Sequence, residues 1–344
     1  MLLRRVKISA LTAIERLIGM QAQSPLAPYV GLWSRVEGFE PDELIRLMSA
    51  RRVVRLAIMR STIHLMSARD CLTLRPLFDP VLDRNLHSNW RQRLEGVDAN
   101  ALAPAARKFV EQEPRTFSDL GSLLAEQWPD NDAAALAMAA RAWLPLVQVP
   151  PRGIWGAGGL AKHTTAEHWI GRPLARRSAR NAMIKRYLRA YGPASVRDMQ
   201  MWSGLTGLQD AVEQLRPTLR TFGDEQGREL FDLPGAPLPD EDTPAPPRFI
   251  PEYDNLLLSH ADRIRVIADA DRARIFTKGA VLVEGFVAGT WKIDRARKNA
   301  DLLVEQFRRL REAEKAEVAE EGARLLSFAA EGTERQRVRF VAAH

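Results

Sequence analysis

Two glutamines stand two residues apart in Gln21-Ala22-Gln23, inside the segment GMQAQSPLAPYVGLWSR at 19–35. A glutamine amide is not a useful base near neutral pH, but it can hold water. Its NH2 group donates hydrogen bonds and its carbonyl accepts them. The carbonyl dipole can also face positive charge developing on a substrate, which lowers a barrier without any proton transfer. The spacing imposes a condition. On a regular helix, residues i and i+2 point about 200° apart, so both amides reach one cleft only where the backbone is bent or extended. Residues 10–20 (ALTAIERLIGM) have helical periodicity through Leu11, Ile14, Leu17 and Ile18. Ser24-Pro25 and Pro28 follow, so a helix end is expected near Gln21. By spacing alone, the plainer reading is a pair that caps a helix end or faces solvent.

Other candidates are weaker. Arg60, Thr62 and His64 lie in MRSTIHLM at 59–66, which reads as a short strand. Alternation would place all three on one face, where they would contact a phosphate or sugar, or else satisfy structural hydrogen bonds. Arg172, Arg176, Arg177, Arg180, Lys185, Arg186, Arg189 and Arg197 occupy a stretch without any Asp or Glu. A solvated helix face normally mixes both signs. With a formal charge of +7 over the 344 residues, such a stretch suits a polyanion such as nucleic acid. Arg176, Arg177, Arg180 and Lys185 are the candidate contacts. Asp254 in PEYDN reads as a turn cap, and Trp291 in AGTWKI as core. His163 and His168 are five apart, a poor spacing for a metal pair on a helix, so no metal site is expected. There is no Walker loop, dinucleotide fingerprint or Ser-His-Asp signature, and no cofactor is expected.

Composition narrows the class. Apolar residues make up 46% and charged residues 27%, as in an ordinary globular protein. No apolar run of about 18 residues suggests a membrane span. The N-terminal stretch is charged and lacks the pattern of a signal peptide. Cys71 is the one cysteine, which excludes an internal disulfide and fits a cytoplasmic setting.

These residues must be positioned by helices and short strand pairs. Pro41 opens a helix over 41–50, and VVRLAIM and STIHLM follow as strands. Thr116 caps FSDLGSLLAEQW, 131–143 is a second helix, and LPLVQVPPRGIWGAG is a hairpin turning at Pro150 to Gly153. A third run has helices ending at Gly192 and Gly204, a Ser195 cap, and a helix broken by Pro217. It closes with a hairpin around Gly223 to Gly227. Helix, helix, hairpin is the winged-helix pattern, whose second helix sits in a DNA groove. The expected fold is mainly α with α+β modules. Its winged-helix modules cover 1–95, 96–165 and 172–235, followed by a Pro-rich linker at 236–251 and a β-rich C-terminal domain at 252–344. Residues 300–330 read as one long amphipathic helix or two shorter ones.

The Gln-x-Gln segment, together with MRSTIHLM, PEYDNLLLSHADR at 251–263 and VLVEGFVAGTWKI at 281–293, resembles the AlkZ/YcaQ family of winged-helix DNA glycosylases. It takes the Gln/Gln form of the AlkZ branch. The resemblance spans nearly the whole chain in order and spacing. It implies tandem winged-helix modules and a small C-terminal β-barrel in a C-shape. It also implies hydrolysis of the N-glycosidic bond of N7-alkylated purines in double-stranded DNA by a monofunctional enzyme, with Gln21 and Gln23 as the catalytic pair. Members of the AlkZ type unhook interstrand crosslinks of azinomycin-like natural products and give self-resistance. Repair of alkylation damage by a monomer, with no obligate protein partner, follows from the same resemblance. The alternative is a noncatalytic winged-helix DNA binder or regulator, which would need no glutamine pair.

Overall fold

The computed structural model describes residues 1–176, 179–275, 277–296 and 298–341. Helix α1 (Ala10–Arg16) leads to a two-residue strand, β1 (Met20–Gln21), and then to α2 (Ala27–Trp33). Helix α3 (Pro41–Ser49) precedes strands β2 (Val53–Ala57) and β3 (Ile63–Ser67). Helices α4 (Ala68–Leu74), α5 (Asp79–Trp90), α6 (Ala99–Gln112), α7 (Phe117–Ala125) and α8 (Ala133–Trp143) lead to β4 (Leu146–Gln148) and β5 (His163–Thr165). Helices α9 (Ala166–Ile170), α10 (Arg180–Tyr191), α11 (Val196–Ser203) and α12 (Gln209–Leu215) precede the pair β6 (Arg220–Gly223) and β7 (Glu229–Asp232). The remainder runs β8 (Arg248–Ile250), α13 (Asn255–Leu258), β9 (Gly279–Val283), β10 (Phe286–Ala296), β11 (Asn299–Gln306), α14 (Glu312–Ala329) and β12 (Arg335–Val341).

Two compact units result, and neither is one continuous stretch. One comprises Ile14–Leu26 and Pro41–Ala236; the other comprises Met1–Ala13, Ala27–Glu40 and Pro237–His344.

The first unit holds the glutamine pair. Helices followed by paired strands recur along it, but the first two strand pairs do not stand apart. They merge into one antiparallel sheet of order β1-β3-β2-β4-β5. Strand β2 lies at its centre and is buried along its full length. A strand covered on both faces reads as a continuous apolar run, and Val53, Val54, Leu56 and Ala57 fit that rule. Arg55 breaks it. Helix α1 ends sooner than its periodicity suggests because Ile18 (φ 56°) and Gly19 (φ 89°) turn left-handed. A Cβ at Gly19 would come within 2.9 Å of Met66 Cγ, so glycine alone lets the chain pass over β3 and become β1. The expected tight turn at Pro150 to Gly153 is instead a long connection, because β4 pairs with β5 at 163–165.

In the second unit, the strand order β12-β11-β10-β9-β8 is open rather than closed into a barrel. Among the described residues, edge strands β8 and β12 do not pair with each other. Helix α14 packs on this sheet through Gly322, where a Cβ would meet Leu302 Cδ2 at 2.8 Å. Residues 299–306 form a strand where a helix was expected. Ala300, Leu302 and Val304 are buried in alternation while β11 pairs with β10, so period two wins over the charge pattern. The end of the Pro-rich stretch is itself strand β8. Asp254 does cap α13, accepting from Leu256 N at 2.9 Å. It also takes both amino groups of Arg35, at 2.6 and 2.9 Å. Both side chains of that ion pair are almost fully buried.

Candidate active site

Strand β1 places Gln21 opposite His64 of β3. The ladder continues past β1, since Ala22 N donates to Ile63 O at 2.8 Å. Its next rung is made by a side chain: Ile63 N donates to Gln23 Oε1 at 3.0 Å. Strand β1 ends at Gln21 and Gln23 lies in a bend, so both glutamines run along β3 rather than on opposite faces of a helix. Gln21 is 7% exposed, whereas Gln23 is exposed. A buried amide backed by a solvent-facing one is an arrangement that can bind a water.

Arg60 closes the inner side. Its Nη2 donates to Gln21 Oε1 at 2.8 Å and lies 3.5 Å from His64 Nε2, while Nη1 donates to the carbonyl of Trp202 at the end of α11. His64 Nδ1 lies 3.0 Å from Thr62 O. That contact assigns the ring proton to Nδ1 and leaves Nε2 as an acceptor facing Arg60. Burial pushes the His64 imidazole down to about 3, and the Arg60 charge adds to this against the opposing Thr62 bond. His64 is therefore neutral near pH 7 and supplies no proton.

The alternation expected for Arg60, Thr62 and His64 does not occur. Only His64 lies on a strand. Arg60 and Ser61 form a tight turn with φ of 52° and 58°, a left-handed conformation that costs a non-glycine residue free energy. Thr62 turns its hydroxyl inward to Met59 O at 3.0 Å. The surroundings hold the turn in place. Arg141 donates to Ser61 O at 2.7 Å and to Ser61 Oγ at 3.2 Å. Gly204, the left-handed cap of α11, lies against the turn, and a Cβ there would meet Arg60 N at 3.1 Å and Val81 Cγ1 at 3.1 Å. Gly204→Ala is thus expected to destabilise the protein by about 1–3 kcal/mol, read as a lower urea midpoint at unchanged m-value. An unchanged midpoint would mean that the turn does not depend on this packing.

None of the remaining candidates hydrogen-bonds to the glutamine pair among the described residues. Arg176 and Arg180 are exposed and Lys185 is half-buried. None of these three has an ion-pair partner among the described residues. Arg177 lies outside the described residues. Arg186 is consumed structurally, holding buried Asp70 in a bidentate pair at 2.6 and 2.7 Å. His163 stacks on Phe117 at 3.9 Å between centroids. Among the described residues, no group of three or more His, Cys, Asp and Glu side chains could hold a metal ion. No helix there is long and apolar enough to cross a membrane.

Two supporting residues, Arg141 and Arg55, escaped the sequence reading, and Gly204 was legible only as a helix end, not as the residue packed against Arg60. Arg141 carries no local signal. Arg55 does, as the one charge in VVRLA. Its Nη2 donates to Ala22 O at 2.8 Å, between the two glutamines.

Comparison with solved structures finds a Streptomyces sahachiroi DNA glycosylase AlkZ with a TM-score of 0.78 at 20% identity. The match covers 99% of this chain and 95% of that one, a likeness of fold. No curated protein matches the chain. The family model described as DNA glycosylase AlkZ-like matches residues 14–328. At that extent the chain belongs to the AlkZ-like DNA glycosylase family.

Proposed function

We propose that the chain hydrolyses the N-glycosidic bond of N7-alkylated purines in duplex DNA, without metal or cofactor, and that Gln21 and Gln23 hold the attacking water. The observation that carries this is the pairing of two neutral amides on one strand edge beside a histidine kept neutral. Such a site has little to offer a poor leaving group. An N7-alkylated purine is a good one. Its ring is cationic, so the C1′–N9 electron pair leaves with the base and neutralises it, and no general acid is needed. An oxocarbenium-like sugar remains. The second lone pair of Gln21 Oε1 accepts from the water or faces the sugar cation, since its first is engaged by Arg60. The NH2 of Gln23 positions the water oxygen, since its carbonyl is engaged by Ile63 N. Water adds to C1′ and loses a proton to solvent. The products are free base and an abasic site.

The same chemistry on one purine of a crosslink would unhook it. An exposed Gln23 suits adducts too bulky for the enclosed pocket into which a base is normally flipped. Arg176, Arg180 and Lys185 supply phosphate contacts in this reading. Arg176→Glu and Arg180→Glu are each expected to weaken duplex binding regardless of sequence. Each should also reduce the slope of log K against log salt by about 1; an unchanged slope removes that residue from the interface.

The deciding experiment measures base release from a duplex carrying one N7-methylguanine, with chelator present and abasic sites cleaved by alkali. A matched duplex carrying uracil serves as the neutral control. Release from the first and not the second supports the reading. Robust uracil excision contradicts it, as does failure on both N7-methylguanine and a bulkier N7 adduct despite tight binding.

A further inference from the structure

We infer that Arg55 is the positioning residue of this site, fixing the peptide that carries Gln23; this rests on the glutamine-pair reading above. Arg55 is 2% exposed on the central strand, where an apolar side chain would be the ordinary choice. Its guanidinium is a planar fork with fixed donor directions, and two prongs are assigned. Nη2 donates to Ala22 O at 2.8 Å, and Nε to Gln148 Oε1 at 3.2 Å. Gln148 is the cross-strand partner of Arg55 on β4, so the fork is set by sheet register. The connection after β4 closes over it. A Cβ at Gly153 would lie 2.7 Å from Arg55 Cδ and 3.0 Å from Nε, and Gly153 has φ of 91°. The side chain is thus held from two sides, with Nη2 on the Ala22 carbonyl.

That carbonyl belongs to the peptide joining Ala22 to Gln23. The Ala22 N–H is already bound to Ile63 O at 2.8 Å. With Arg55 on the carbonyl side, the segment between the two glutamines is pinned at both ends. The strand itself is only two residues long and would not orient Gln23 unaided. Arg55 touches neither substrate nor water in this assignment. It acts through the backbone of Gln23.

The test uses the full-length protein and Arg55→Lys. Lysine keeps a charge but presents no fork, so it cannot serve Ala22 O and Gln148 Oε1 in the same geometry. Three readouts are taken: kcat and KM for N7-methylguanine release, duplex affinity, and hydrogen exchange of the Ile63 amide, which reports the Gln23 bond. The expected result is a kcat lowered about 10–100-fold with KM and duplex affinity within about twofold, and faster exchange at Ile63. A folded Arg55→Lys with wild-type kcat and Ile63 exchange overturns the assignment, as does a loss that falls in KM alone. If Arg55→Lys fails to fold, Gln148→Met decides, because it frees the fork without removing it. A several-fold lower kcat with faster Ile63 exchange sustains the proposal, and wild-type values for both overturn it. The exchange arm needs no catalysis. Wild type that releases no base would therefore sink the functional reading, while Ile63 exchange would still judge the role of Arg55.

Discussion

Gln21→Ala is expected to lower kcat for release of N7-methylguanine about 10²–10³-fold with little change in KM or duplex affinity. That is the usual cost of deleting one preorganised polar group that acts mainly on the transition state. The structure gives reasons for the split between kcat and KM. Gln21 is 7% exposed, whereas Gln23 is exposed, so Gln21 offers little surface for ground-state binding. Its carbonyl is oriented by Arg60 at 2.8 Å, and Arg60 is itself anchored to the Trp202 carbonyl. An amide held that firmly needs little reorganisation when charge develops. Gln23→Ala should lower kcat as well and should loosen the end of β1, because its carbonyl supplies the last rung of the ladder to Ile63 N. If both amides hold the same water, the two losses do not multiply: the double variant should be about as slow as the slower single one. Singles within about threefold of wild type would remove the glutamines from the chemistry. Fully multiplicative losses would mean that they act on separate events.

How much of this was legible in the sequence varied with the range of the interactions. Local signals read well. Thr116 and Ser195 cap their helices through Asp119 N and Asp198 N, and Gly204 ends α11 in the left-handed conformation. These depend on neighbours a few residues away. The glutamine pair was legible as a motif, and the need for a bent or extended backbone followed from helix geometry. Long-range pairing was not legible. Nothing in LPLVQV states that β4 will dock beside β2 and merge two strand pairs into one sheet. The run ADLLVEQF fits both a helical and a strand period until β10 is present to pair with it. Strand β12 is parallel to β11, and a parallel partner leaves no turn signal. The turn at Arg60 and Ser61 defeated the alternation argument for a related reason. Its left-handed backbone is imposed by Arg141 and Gly204, residues distant in sequence. Arg55 is the instructive case. A lone arginine in an apolar strand is a visible anomaly, but its target, Ala22 O, is set by tertiary structure.

Stability should fall steeply between pH 6.5 and 4, and the cause lies in two buried histidines of the unit that holds the glutamines. Burial pushes His64 down to about 3. Burial likewise pushes His163 down to about 4, with Arg141 adding to it and the Arg115 carbonyl opposing. In the unfolded chain both titrate near 6.5. Below that pH the unfolded chain therefore binds protons that the folded chain refuses, so stability is complete above about 6.5 and is lost as pH falls toward 4. Two such groups give a slope of up to about 3 kcal/mol per pH unit and a loss of roughly 6 kcal/mol by pH 4. Typical total stability is about 5–15 kcal/mol, so acid unfolding near pH 4–5 is the expected outcome. Asp79 and Asp232 are shifted upward by burial and pull the other way, but only around the carboxylate range. Glu314, held low by Arg308, belongs to the other unit and contributes its loss below about pH 4.5. Urea midpoints from pH 8 to 4 check this, with His64→Gln expected to halve the slope. A midpoint flat from pH 7 to 4.5 would show that these rings are not held neutral. The link to the reaction runs through Arg60. It reaches Gln21 because His64 Nε2 is an acceptor rather than a second cation, so in the folded enzyme base release should be independent of pH from about 6 upward. Protonating His64 would place two positive charges 3.5 Å apart, which would push the guanidinium off the amide it orients.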